Sequence, residues 1–63
     1  PGKVVKILVN KNDEVKQNQP LLIIEAMKME TIIVSKTDCI VKSIKVSENE
    51  MVRDKQLLME MKK

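Results

Sequence analysis

Apolar residues fall in short runs of strand length, and none is long enough to make a stable helix. The runs are Lys3 to Val9, Leu21 to Ala26, Met29 to Val34, Ile40 to Val46 and Leu57 to Met61, with very short ones around Val15 and Val52. Between them lie polar clusters of turn-forming composition: Asn10-Lys11-Asn12-Asp13, Gln17-Asn18-Gln19-Pro20, Ser35-Lys36-Thr37-Asp38, Ser47-Glu48-Asn49-Glu50 and Asp54-Lys55-Gln56. The pattern predicts seven strands. Leu21-Leu22-Ile23-Ile24 is apolar throughout and leaves its inward face open. Leu57, Met59 and Met61 alternate against Leu58, Glu60 and Lys62, which points to Leu22, Ile24 and Ala26 as the matching inner set.

The pattern occurs twice. Setting residue n over residue n+37 aligns Val4 with Val41, Ile7 with Ile44, Val9 with Val46, Asn12 with Asn49, Val15 with Val52, Gln19 with Gln56 and Leu21 with Leu58. Two copies are too few for a solenoid. The expectation is two halves, about 2–25 and 39–62, packed about a quasi-twofold axis over one shared core. Asn stands in the turns where Gly would be usual, and it is the ordinary residue that best tolerates a left-handed backbone.

Composition agrees with an all-β chain and excludes several kinds of activity. Of 63 residues, 43% are apolar, and fifteen of those are Val or Ile, which suit pleated strands. There is no aromatic residue to stack on a base, and the net charge of +3 is spread along the chain, so nucleic acid is not an expected partner. With no His and one Cys, neither a zinc set nor a Ser/His or Cys/His nucleophile pair can be assembled. The expectation is no catalytic residue and no metal site. The lone Cys39 suits a reducing, cytoplasmic compartment, and Leu21 to Ile24 is far too short for membrane insertion. The start at Pro1 suggests a single domain, 1–63, excised from a larger protein.

The segment outside the repeat carries the chemistry. Glu25-Ala26-Met27-Lys28-Met29-Glu30 must reverse the chain without Gly, Pro, Asn or Asp. With Met27 and Lys28 as turn residues, Ala26 faces Met29, and Glu25 faces Glu30, an unfavourable carboxylate pair. One reading folds Met27 and Met29 back as flexible core fillers and leaves Lys28 a solvated lysine. The other makes Lys28 a handle, its amine held clear of the protein for another enzyme to acylate.

Ala26-Met27-Lys28-Met29 preceded by Glu25 resembles the attachment motif of biotinyl domains, the carboxyl carriers of biotin-dependent carboxylases and decarboxylases. The resemblance runs through the whole chain, from Pro1-Gly2 through Gln17-Asn18-Gln19-Pro20-Leu21 and Thr37-Asp38 into the second half. It implies a flattened β-barrel, a barrel-sandwich hybrid with quasi-twofold symmetry and an attachment hairpin at 25–30. It also implies covalent biotin on Lys28, added by biotin protein ligase. Glu25, Ala26, Met27, Met29 and Glu30 would then be read by the ligase and by partner sites, with Glu25 helping to separate biotinyl from lipoyl acceptors. The tethered group would shuttle as carboxybiotin between biotin carboxylase and carboxyltransferase sites, with ATP, bicarbonate and divalent metal used only at those partners. The isolated domain is expected to be a monomer.

Val15 to Thr31 is most similar to the C-terminal carrier of bacterial pyruvate carboxylases, a ligase. Carriers of acyl-CoA carboxylases, transcarboxylase and sodium-pumping decarboxylases are alternatives, as are a lipoyl carrier or an unmodified lipoyl-like structural module. Three departures from the family pattern stand out. Asn12, Asn18, Cys39, Asn49 and Lys55 replace common glycines, so strained turns are expected there. Cys39 reads as an incidental small side chain. A short strand usual before the Pro-Gly pair is missing, which predicts an unpaired sheet edge. The short Val9 to Leu21 segment also leaves no room for the protruding loop of some bacterial carriers.

Overall fold

The computed structural model describes all residues except 1, 54 and 55. Its strands are β1 (Gly2–Ile7), β2 (Glu14–Val15), β3 (Pro20–Ala26), β4 (Met29–Val34), β5 (Cys39–Ile44), β6 (Met51–Val52) and β7 (Met59–Lys62). They form two antiparallel sheets, one of four strands in the order β4-β3-β1-β6 and one of three in the order β2-β5-β7. Among the described residues the sheets do not close into a barrel. The architecture is all-β, two facing layers of the barrel-sandwich kind.

The two sheets are built by exchange. β1 pairs with β3 of its own half, and on its other side takes β6 from the second half. β5 pairs with β7 and takes β2 from the first half. The registers superpose under the n+37 shift. Val4↔Ile24 becomes Val41↔Met61, and Ile7↔Leu22 becomes Ile44↔Met59. The break in register between Val4 and Lys6 recurs between Val41 and Ser43.

The turns repeat as faithfully. The Asn10 N–H donates to Asp13 Oδ2 at 2.8 Å and the Asp13 N–H returns to the Asn10 carbonyl at 3.1 Å. Ser47 and Glu50 make the same two bonds at 3.0 and 3.1 Å. Gln19 and Gln56 accept from the N–H of Lys16 and Arg53 in matching turns. Asn12, Asn18 and Asn49 take φ of 75°, 70° and 72°, as expected of residues standing for glycine. Cys39 is not among the positive-φ residues, so the strain expected there is absent. Lys55, the fifth such position, lies outside the described residues.

Burial corrects two expectations. Instead of one shared core there are two clusters, each image of the other under the shift. Val9, Val15, Leu21 and Cys39 gather with Val41, whereas Val46 and Val52 gather with Val4 and the half-buried Leu58. Each cluster therefore contains one valine supplied by the opposite half, which ties the halves together. The second correction concerns faces. Met59, Met61 and Ile24 pack inward and Leu22 is fully buried, as the alternation implies, but Leu57 is 58% exposed and Leu58 packs in its place. The cause is visible in the first half: a register break between Pro20 and Leu22 lets Leu21 and Leu22 both turn inward. Leu58 is the counterpart of buried Leu21, and Leu57 that of exposed Pro20.

β4 is the strand whose counterpart under the shift would fall before residue 1. It covers the outer edge of β3, but nothing among the described residues covers the matching edge of β7. An open groove of about 550 Å3 runs there between the sheets, floored by Leu22, Leu58 and Met61. Among the described residues β7 is thus an unpaired sheet edge, as expected.

Candidate functional site

The β3–β4 hairpin positions the residues singled out from the sequence. Its strands pair from Leu22↔Ile33 through Ile24↔Thr31 and Glu25↔Glu30 to Ala26↔Met29, leaving Met27 and Lys28 as the two-residue loop. Met27 has φ 52° and Lys28 φ 67°. Two consecutive left-handed residues are the signature of a type I′ turn, whose twist matches that of the strands it joins. Asn-Gly is the usual choice there. An ordinary side chain in this conformation costs about 1–2 kcal/mol per residue, so the tip stores strain that the ladder of β-branched pairs below it must hold.

What the strained turn achieves is exposure. Met27 is 94% exposed and Met29 73%, which removes the reading in which they fold back into the core. Lys28 is exposed between them. The amine stands at the end of a paired hairpin, flanked by two polarizable apolar side chains that an approaching surface can desolvate.

The support is tight. A Cβ added at Gly2 would lie 2.7 Å from Ile24 Cγ2 and 2.9 Å from the Glu25 carbonyl oxygen, closer than any side chain tolerates. Gly2 thus lets β1 press against β3 directly beneath the tip. The carboxylates of Glu25 and Glu30 face each other across the hairpin, as expected, and Glu25 also lies opposite Lys3 of β1. Lys3 in turn lies opposite Met51 of β6. The row Met51–Lys3–Glu25–Glu30 therefore crosses the whole four-stranded sheet one step below the turn. A shallow cleft of about 330 Å3 lies there, bordered by Lys3, Glu25, Met27, Lys28 and Met51.

The structure brings together Glu25, Ala26, Met27, Lys28, Met29 and Glu30. Lys3 and Met51 were not legible as neighbours of this site. The signal that could have found them is the repeat combined with strand exchange, which sets β6 against β1. Among the described residues no three of Cys, Asp and Glu gather as a metal site requires.

Among the described residues, one carboxyl titrates outside the ordinary range, and it lies on β7 rather than on the hairpin. The Glu60 carboxyl is held below the usual glutamate range, first by the hydrogen bond that Ser43 Oγ donates to it at 2.8 Å, then by Lys45, whose Nζ is 3.5 Å away.

Comparison with known proteins agrees with the geometry. Residues 1–61 match the biotin/lipoyl attachment family, described as "Biotin-requiring enzyme". The chain is 50% identical over 58 residues to the methylcrotonoyl-CoA carboxylase subunit alpha of Dictyostelium discoideum, covering 92% of this chain and 8% of that one. It is 43% identical over 63 residues to the pyruvate carboxylase of Staphylococcus aureus, covering 100% of this chain and 6% of that one. It is 50% identical over 52 residues to the biotin carboxyl carrier protein of Streptococcus mutans, covering 82% of this chain and 40% of that one. The chain thus spans less than half the length of these relatives. With the exposed lysine hairpin, the exchanged two-sheet fold and a match over nearly its full length, the chain belongs to the biotin/lipoyl attachment family, as a biotin carboxyl carrier domain.

Proposed function

We propose that Lys28 carries biotin in amide linkage, attached by a biotin protein ligase, and that the domain presents it in turn to a biotin carboxylase and a carboxyltransferase site. The observation that carries this reading is Lys28 at the crest of the two-residue left-handed turn, exposed at the end of a paired β-hairpin. The residues fit the group. Amide formation needs a primary amine that another active site can surround, and Lys28 is exposed. In the transfer the Lys28 amine gives up a proton, its lone pair attacks the activated carboxyl carbon, and the leaving group departs with its bonding electrons. When bound, biotin supplies a ureido nitrogen able to accept and release a carboxyl group.

The chain's own residues supply placement. The β3–β4 ladder fixes the origin of the lysine arm, Gly2 allows the close strand packing beneath it, and Met27 and Met29 offer apolar contact beside the reacting atom. Holding the reactant on a defined tether converts a collision into a nearly intramolecular approach.

Pyruvate carboxylase is the parent this reading carries forward, since the match to the Staphylococcus aureus enzyme extends over 100% of the chain. A methylcrotonoyl-CoA carboxylase is the second reading, favoured by the 50% identity to the Dictyostelium discoideum subunit. The first experiment is to incubate the chain with biotin protein ligase, ATP and biotin and weigh the product. One biotin on the wild-type chain and none on Lys28→Arg is expected; transfer to Lys28→Arg, or none to wild type, refutes the assignment. Offering the carboxylated domain to carboxyltransferases acting on pyruvate or on methylcrotonoyl-CoA then separates the two parents.

A further inference from the structure

The motif around Lys28 ends at Glu30, but the surface around Lys28 does not. Met51 belongs to β6, a two-residue strand from the opposite half, and reaches the site through strand exchange. It is 67% exposed, although it sits at the edge of a sheet whose neighbouring positions supply buried core residues such as Val52. Its counterpart under the n+37 shift is Glu14, a charged residue at an equally open edge position. Hydration alone would favour a charge at Met51 as well. An exposed methionine there contributes no core packing, yet with Met27 it borders the cleft beside the Lys28 stem.

We infer that the outer face of the four-stranded sheet directly below Lys28 is the surface on which the acylating enzyme docks, and that Met51 is a recognition residue of that surface. The inference rests on the acceptor role proposed for Lys28. The row Met51–Lys3–Glu25–Glu30 gives the face a fixed polarity: apolar at the β6 edge, cationic at β1, anionic on the β3–β4 hairpin. The complementary partner surface is an apolar patch for Met51 and Met27, an acidic side chain for Lys3 and basic side chains for Glu25 and Glu30. The hairpin carboxylates are mutually repulsive in the free domain, and a cationic partner relieves that repulsion on binding. Met51 and Met27 adapt their flexible thioether chains to the patch.

The arrangement has a consequence for specificity. A lysine flanked by methionines in an unfolded peptide lacks Met51 and Lys3, because only the folded two-sheet core brings β6 to β1. The enzyme that docks here therefore reads the fold together with the motif.

The test is acylation kinetics with biotin protein ligase, ATP and biotin on four folded variants, each checked by thermal melting. Met51→Asp is expected to lower kcat/KM about tenfold, chiefly through KM, as loss of an anchoring contact does. Met51→Leu keeps the apolar contact and is expected to stay near wild type. Leu57→Asp, which places the same charge on a comparably exposed apolar residue away from the tip, is expected to leave the rate unchanged. Lys3→Glu, which inverts the cation of the row, is expected to raise KM. Wild-type rates for Met51→Asp would overturn the inference while leaving Lys28 the acceptor. Equal slowing by Met51→Asp and Leu57→Asp would also overturn it, by showing a general effect of added charge. No transfer to the wild-type chain would remove both this inference and the acceptor role on which it rests.

Discussion

The two halves differ where one of them carries the hairpin. Gly2 and Cys39 occupy the same place in the repeat, each opening the first long strand of its half and each paired with a valine of the exchanged short strand. At Cys39 a side chain fits: it is 9% exposed, within 3.5 Å of Ser35 Oγ, and part of a core cluster. At Gly2 not even a Cβ fits, because β3 presses against it on its way to the tip. Likewise β3 continues through a strained turn into β4, and among the described residues no strand pairs with the outer edge of β7. Features the halves share serve stability. Features only the first half has present Lys28.

Breaking the shared part should cost the most, and equally in both halves. Val4 and Val41 are both at 0% exposure, one in each cluster. Val4→Ala and Val41→Ala should each destabilise by about 2–3 kcal/mol, lowering the melting temperature by about 10 °C or more. Markedly unequal losses would show that the clusters are not energetic images of each other.

The asymmetric pair sharpens the contrast. Gly2→Ala forces a contact of 2.7 Å with Ile24 and should destabilise by about 1–3 kcal/mol. Cys39→Ala removes one small apolar atom and should cost under about 1 kcal/mol. Urea midpoints compare the two directly. At the tip, Met27→Gly should stabilise by about 1 kcal/mol, because glycine adopts a φ of 52° without steric cost. The same change should slow biotin transfer, so a variant both more stable and faster in transfer would contradict the view that strain is kept there for function. Asn12→Ala and Asn49→Ala should each lose about 1 kcal/mol, measured by the same unfolding curves.

The smallest effect concerns acid stability. Glu60 titrates low in the folded state, chiefly through Ser43. A carboxyl depressed on folding adds stability above its unfolded value and loses it as pH falls through the folded one. Ser43→Ala should therefore weaken the domain at neutral pH and narrow its difference from wild type at acid pH. The first half has Lys6 and Ile23 at the matching positions, so no such dependence is expected there.

Much of this was legible in the chain because it is local. Period-two patterning marks strands, Asn12 and Asn49 mark left-handed turns, and the absence of any turn former in Ala26-Met27-Lys28-Met29 marks a loop kept for another purpose. Each of the seven identities in the repeat has a structural role: Val4, Val9, Val15, Leu21 and their partners build the clusters, Ile7 and Ile44 pack against them, Asn12 and Asn49 turn the chain, and Gln19 and Gln56 cap it.

What the sequence by itself determined was the set of strands, their repetition and the residues at the exposed turn, since side-chain alternation and backbone preference act within a few residues. Only the tertiary structure decided that β2 and β6 change places, that Leu58 rather than Leu57 packs inward, that the core divides into two clusters, and that Met51 stands beside Lys28. Those outcomes depend on pairing between segments dozens of residues apart and on a register break at Leu21, and a one-residue shift at such a break reverses which side chain meets the core.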